Sequence, residues 1–420
     1  MGRSLAGASI RLRRTRHCLI TLEDRSIFGT MVIRHLLRNC LLALAYAALA
    51  PGWMFPTSTC RGQSPAPAKK KVDAEPNVTV IPLRGSVGLF KDDFDAKASR
   101  TQVPDFVTAE ILKGALEEAH KGNPQAIILE VSGPGGSVSE MLEMVKMLMT
   151  EQDNKQRLIA WIGPEVFSAD AEIALACKEL VVKSQCQIGA CVVWATERNG
   201  KRVDVRGDDN DPVARKMYSA LISPVQQAQD KAGRPRCIEE AMRVMGTELW
   251  WSPQKGLAAT KGAGAEWEQV DGAKDVLTLS SEQLLKYGLA IGKADTDADL
   301  LDVLKLPPTT KVKRLDSKVK SLRHTASQRA KNAWKKVDDF VESLVAIDER
   351  LREYNELIAQ GNRIAAKPKI SDCHRRVIAA REFLERAKLD ESTEADFRQQ
   401  LGSLENKIKS AKAILDISPK

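Results

Sequence analysis

From residue 78 to residue 182 the chain alternates short apolar runs with amphipathic stretches, and no other feature limits its possible folds so much. Residues 78–83, 126–131, 158–162 and 180–182 read as strands. Between them, residues 107–120 set Ile111, Leu112, Ala115, Leu116 and Ala119 on one helical face. Residues 141–149 form a helix rich in Met and Leu, and a further helix starts near Ser168. Such alternation implies right-handed crossovers and a largely parallel sheet with helices on its faces. Ligands bind beyond the carboxyl ends of the strands in sheets of this kind. Gly133-Pro134-Gly135-Gly136 and Ser168 both fall at such ends, so the site is sought there.

The flanks have a different character. The net charge of +9 suggests a nucleic-acid partner until it is located: residues 1–71 hold twelve Lys or Arg against Glu23 and Asp24, which leaves the rest near −1. A basic groove for nucleic acid is therefore not implied. Arg34, His35 and Arg38 before an apolar stretch at 41–50 read as an export signal, too short for a comfortable membrane span. Cleavage of that leader and its retention as an anchor both stay open. The expected organisation is a leader at 1–60, a flexible linker at 61–76, an α/β domain at 77–305 and a charged helical region at 306–420. In the last, residues 311–336 carry ten basic residues against Asp316, read as a solvated helix face or a contact for lipid or a partner. Trp334, Val337, Val341, Leu344, Ile347, Leu351, Tyr354 and Ile358 then recur at spacings of three or four, as do Phe397, Leu401, Leu404 and Ile408. This predicts a two- or three-helix antiparallel bundle.

Chemistry has few candidate residues. His120 is the one histidine between residues 77 and 305, so a Ser-His-Asp triad lacks an obvious base. A lysine can take that place if burial lowers its pKa. No phosphate-binding glycine loop, dinucleotide fingerprint or metal-ligand spacing occurs, so no cofactor or metal is expected. After residue 60 the cysteines are Cys177, Cys186, Cys191, Cys237 and Cys373, odd in number and without close spacing, and the first three, in apolar stretches, read as small core residues.

Gly133-Pro134-Gly135-Gly136 after a strand, Phe167-Ser168-Ala169-Asp170 opening a helix and Gln187-Ile188-Gly189-Ala190 together resemble the Clp-like serine proteases. The nearest branch is the NfeD-type membrane-associated proteases, with signal peptide peptidase A as a cousin. Ala232-Gly233-Arg234 and the stretch 277–290, ending in Gly288-Leu289-Ala290, fit the same family in order. The resemblance implies Clp/crotonase-type repeated ββα units over about residues 77–304. It implies Ser168 as nucleophile, Lys216 as general base and backbone amides of Gly135, Gly136 and Ala169 as oxyanion hole. Lys216 lies 17 residues before Gly233, where many members carry a lysine; others place it ten residues nearer, where this chain has Gln226.

The chain departs from the pattern at Asp170, where the family usually has Gly or Ala. A carboxylate there opposes an alkoxide on Ser168 and can hold a lysine protonated. Plainer readings also exist: Ser168 as a helix N-cap, residues 133–136 as a tight turn and Lys216 as a solvated surface lysine. The expected function is an exported serine endopeptidase, periplasmic or membrane-associated, cutting polypeptides through a Ser168–Lys216 dyad. The alternative is an inactive Clp-fold protein that binds peptide or a partner in the same groove; crotonase-type acyl-CoA chemistry is a third, disfavoured by export. A homo-oligomer built partly on residues 217–225 is expected, with membrane association through the N-terminus open.

Overall fold

The computed structural model describes residues 76–90, 105–196, 202–206, 211–264, 266–272, 274–387 and 391–416. All belong to one compact unit, Asp73–Lys420; the leader and nearly all of the linker lie outside the described residues. An eight-stranded sheet forms the centre, in the order β13(Thr278–Ser280), β7(Gln187–Gly189), β5(Leu158–Phe167), β4(Ala126–Gly133), β1(Asn77–Arg84), β15(Lys311–Arg314). On β5 also pairs β6(Glu179–Val182), which carries β14(Gly292–Lys293). Every pairing is parallel except β13 on β7. The chain is thus a mixed α/β protein with a largely parallel sheet and C-terminal helices.

Strand alternation divides the core in two. Ile81 and Leu83 of β1 with Ile127, Leu129 and Val131 of β4 face one layer, with α1(Ala109–His120), α2(Val138–Asp153) and α3(Ala169–Leu175). Val78, Val80, Ala126, Ile128 and Trp161 face the other, closed by Leu300, Leu301 and Leu304 in and just after α7(Asp297–Val303). Burial on both faces explains why these strands read as unbroken apolar runs. Thr108 caps α1 by accepting from Ile111 N, and Ser137 caps α2 by accepting from Glu140 N. Of the later segments, α4(Pro212–Lys231) packs across α2, followed by α5(Arg236–Arg243). Arg234, just after α4, joins the segments that follow α3 and precede β14 by donating to Cys177 O at 2.9 Å and Leu289 O at 3.0 Å.

Two hairpin-like sheets, β8(Trp194–Thr196) with β9(Arg202–Asp204), and β10(Leu249–Ser252) between β11(Gly256–Ala258) and β12(Glu268–Asp271), stand outside the main sheet. So does β2(Ser86–Val87) with β3(Phe106–Val107). Between β13 and β14 runs the short α6(Ser281–Lys286). The sheet itself takes its edge strand from 311–314, a strand beyond the boundary expected at 305. The tail is a bundle of α8(Asp316–Ala359), α9(Arg363–Ala387) and α10(Glu391–Asp416), the larger of the two arrangements expected. Phe340, Leu344, Ile347, Leu351 and Tyr354 of α8 meet Ile370 and Val377 of α9 and Phe397 and Leu401 of α10. Val341, expected on that face, is 43% exposed, and Phe340 beside it is buried instead. The first turns of α8 lie on the α/β layer, where Arg323 donates to Phe106 O and Arg84 O at 2.7 Å each. Part of the basic stretch is therefore structural.

Candidate active site

Two turns meet at the carboxyl ends of β4 and β5. After β4 the chain passes through residues 133–136 into α2. Val87 N donates to Gly135 O at 2.9 Å and Ser137 N to Val87 O at 2.7 Å, which fastens the turn to β2. Gly136 has φ 152°, and a side chain there would strike Val87 O, 2.0 Å from a Cβ. Only glycine satisfies that position. After β5, Ser168 stands at φ 53° and ψ −123°, a conformation L residues rarely adopt, and its side chain makes no capping hydrogen bond. The plain N-cap reading of Ser168 therefore does not hold. Strain of this sort, on the order of 1–3 kcal/mol, persists where the surroundings dictate it and gathers at functional sites. Here Ser168 N donates to Gly189 O at 2.9 Å, and only glycine fits at 135, since a Cβ on it would lie 2.4 Å from Ser168 Cβ.

A cleft of about 980 Å³ opens over the pair, lined by Gly135, Gly136, Ser168 and Ala169 among others. The structure thus brings together four of the five residues expected in the site. Apolar walls come from Met141 of α2 and from Leu221, Ile222 and Val225 of α4.

Lys216 is not brought to them. It is exposed and does not line the cleft. It precedes Val225 by nine residues, about two and a half turns, which sets it on the far side of α4 from the cleft wall. The cleft-facing positions of that helix are Leu221, Ile222 and Val225, none of which can take a proton.

Asp170 engages one of the three amides expected to form an oxyanion hole. It is fully buried and accepts the Gly135 amide hydrogen at Oδ2, 2.8 Å away, while its Oδ1 has no hydrogen-bond partner among the described residues. An amide has one hydrogen to give, so Gly135 is engaged by Asp170 rather than turned to a substrate oxygen. Burial pushes the Asp170 carboxyl up to about 7, against the smaller opposing pull of the Gly135 amide. Gly136 and Ala169 remain as candidate donors at the cleft.

Residue-level reading of the sequence missed the polar floor below Ser168. Glu172 and Arg243 are both buried and both line the cleft. Arg243 Nε donates to Glu172 Oε1 at 2.7 Å, Gln229 Nε2 to Glu172 Oε2 at 2.6 Å, and Arg243 Nη1 pairs with Glu239. Burial pushes the Glu239 carboxyl up to about 7, with Arg243 opposing. Burial likewise pushes the Cys191 thiol, 3.6 Å from Ser168 O, well above its ordinary range, so it is no competing nucleophile. The available signal was a set of charged residues at buried helical positions, Glu172 one turn after Ser168 and Glu239 one turn before Arg243. Among the described residues no cluster of metal-ligating side chains occurs.

No protein-family model matches the chain. Membrane protein NfeD1b of Bacillus subtilis (strain 168) is 24% identical over 196 residues, 47% of this chain and 38% of that protein. The chain thus spans well under half the length of that relative. A membrane-bound stomatin-specific protease, solved as a serine-to-alanine variant, is 20% identical over 58% of this chain and 98% of its own, with a TM-score of 0.36. A lysine-to-alanine variant of such a protease, in complex with a substrate peptide, is 21% identical over 57% of this chain and 91% of its own, also at 0.36. A membrane protease specific for a stomatin homolog from Pyrococcus horikoshii gives 20% and 0.32, over 57% and 92% of the two chains. The relatives are membrane proteins and membrane proteases by name. No described helix here is long and apolar enough to cross a membrane.

Proposed function

We propose that this NfeD-like chain is an exported, membrane-associated protein that captures an apolar polypeptide segment in the Ser168 cleft and leaves it uncut. The observation that carries the reading is the hydrogen bond from Gly135 N to Asp170 Oδ2, 2.8 Å long. It removes the amide expected to stabilise a tetrahedral oxyanion, a donor of a kind worth about 3–4 kcal/mol of barrier in acyl transfer. Ionised, Asp170 also opposes negative charge on Ser168; protonated, it still occupies the amide. What remains is an apolar groove with backbone groups at its edge, suited to an extended peptide.

A serine endopeptidase is the second reading, favoured by the φ of 53° at Ser168. It needs Lys216 carried round to the cleft and Asp170 withdrawn from Gly135. The two readings separate in one experiment with the full-length protein at pH 7.5. Fluorescence anisotropy of a labelled apolar decapeptide reports binding, and chromatography of the same sample reports its fate. The expected outcome is saturable binding with the peptide intact. Cleavage lost in Ser168→Ala establishes the peptidase instead, and an absence of binding dismisses both. Assembly into a homo-oligomer belongs to the proposal, and a monomeric mass by light scattering at micromolar concentration contradicts that part.

A further inference from the structure

The helical tail carries two exposed faces of opposite charge. One is the groove between α9 and α10, a line of three cavities of about 380, 220 and 350 Å³. Lys412 lines the first two, and Arg381 and Glu405 line the last two, so the cavities adjoin. Apolar side chains open into the groove, with Ile364 91% and Ile378 46% exposed. Its cations outnumber its acid: Arg363, Lys367, Arg381, Arg398, Lys409 and Lys412 stand against Glu405. Arg381 pairs with Glu405 and Arg398 with Glu394, whereas Lys367, Lys409 and Lys412 have no acid partner among the described residues.

The other face belongs to α8. Away from its core residues Phe340, Leu344, Ile347 and Leu351, this helix exposes Val341 by 43% and Val345 by 39%. Glu342, Glu349 and Glu356 are exposed beside them, and a spacing of seven sets the three acids in one row along the helix. None of the three pairs with a cation among the described residues. The core side of α8 is turned to its own bundle, where Phe340 meets the rings of Phe383 and Phe397. The acidic row therefore lies across the bundle from the α9–α10 groove, out of its reach within one chain. A groove between two helices takes an amphipathic third helix, apolar residues inward and acids toward the rim cations. The leader lacks that pattern, since residues 1–71 carry twelve Lys or Arg against two acids. The outer face of α8 has it.

We infer that the acidic face of α8 in one copy docks in the cationic α9–α10 groove of a second copy. Face and groove lie on opposite sides of each bundle, so the contact runs head to tail and joins more than two copies into a ring or a row. This names the surface of the homo-oligomer proposed above and rests on that reading.

The test is sedimentation of full-length protein in the analytical ultracentrifuge. The wild-type mass is expected to rise with concentration past two copies of the 46.2 kDa chain. A groove variant carries Lys367→Glu, Lys409→Glu and Lys412→Glu, and a face variant Glu342→Lys, Glu349→Lys and Glu356→Lys. Each alone sets like charges together and should associate more than about a hundredfold more weakly. Mixed in equal amounts, the two variants present opposite charges again and should reassemble. Association that neither variant weakens, or that mixing does not restore, overturns the docking while leaving the homo-oligomer reading intact. The wild type supplies a second check that no variant can spoil by misfolding. Raising salt from about 0.1 M to about 1 M shortens the screening length from about 10 Å to about 3 Å and should weaken association about tenfold. Association indifferent to salt overturns the docking, and a monomeric wild type overturns both readings. A monomer that floats with phosphatidylserine vesicles, and ceases to in the groove variant, assigns the groove to lipid and likewise overturns the docking.

Discussion

Two buried carboxylates, Glu130 within β4 and Asp170 in the first turn of α3, behave in opposite ways. Glu130 of β4 is 4% exposed and accepts from Arg84 at 2.6 Å, Lys183 at 2.7 Å and Arg314 at 2.5 Å. Burial works against its charge, yet the hydrogen bonds from Lys183 and Arg84 hold its carboxyl below the ordinary value. Asp170 has no exposure and a single amide, and burial drives it up to about 7. Partners, not depth, decide which buried acid is a fixed charge. Glu130 fastens β15 and the start of α8 to the sheet through Arg314, which also holds Asp297 and Asp316. Asp170 fastens one turn to another by holding the Gly135 amide.

The contrast is sharpest in the pH dependence of stability. Folded chain keeps the Asp170 proton up to about pH 7, whereas an unfolded aspartate releases it near 3.8. The stability this group contributes is therefore fully present below pH 3.8 and is lost as pH rises through 7, about 4 kcal/mol in all. Urea denaturation between pH 4 and 7.5 should show that decline in the wild type and a flatter profile in Asp170→Asn. An unchanged profile removes the distinction between the two acids. Glu130 has the opposite sign, since a lowered carboxyl pKa gives stability above the unfolded value that is lost as pH falls. Glu130→Gln leaves three cations short of their acceptor and should cost about 3 kcal/mol at pH 7 by the same measurement.

Smaller effects test the serine side. Ser168→Gly relieves the φ of 53° and should stabilise the chain by about 1 kcal/mol, a sign seldom found for removal of a buried-site side chain. Destabilisation indicates instead that Ser168 packs without strain. Lys216→Ala, an exposed position, should stay within about 0.5 kcal/mol and leave peptide binding unchanged. A loss of binding brings Lys216 back to the cleft.

Legibility of the sequence follows the same division. β1, β4, β5 and β6 were readable because burial on both faces leaves runs such as Ala126-Ile127-Ile128-Leu129 with no polar interruption. The edge strand Lys311-Val312-Lys313-Arg314 was not, since three cations in four residues suit a solvated helix as well as a sheet edge. Glycine turns and Ser168 were readable from their order along the chain. The partners of Asp170 and Arg243 were not, because Gly135 is 35 residues from Asp170 and Glu172 is 71 from Arg243. Asp170 was visible as a departure, but its consequence required knowing where the Gly135 amide points. The exposed placement of Lys216 was not readable for a related reason: spacing along the chain carries no phase around α4.

Intact-mass spectrometry of the full-length protein after exposure to a fluorophosphonate probe, from pH 6 to 10, tests the silence of Ser168 most directly. The account predicts that the wild type keeps its unmodified mass, because Ser168 lacks a base at the cleft and Asp170 occupies the Gly135 amide. A single adduct on the wild-type chain, rising with pH and absent from Ser168→Ala, contradicts it and makes the protein a working serine hydrolase.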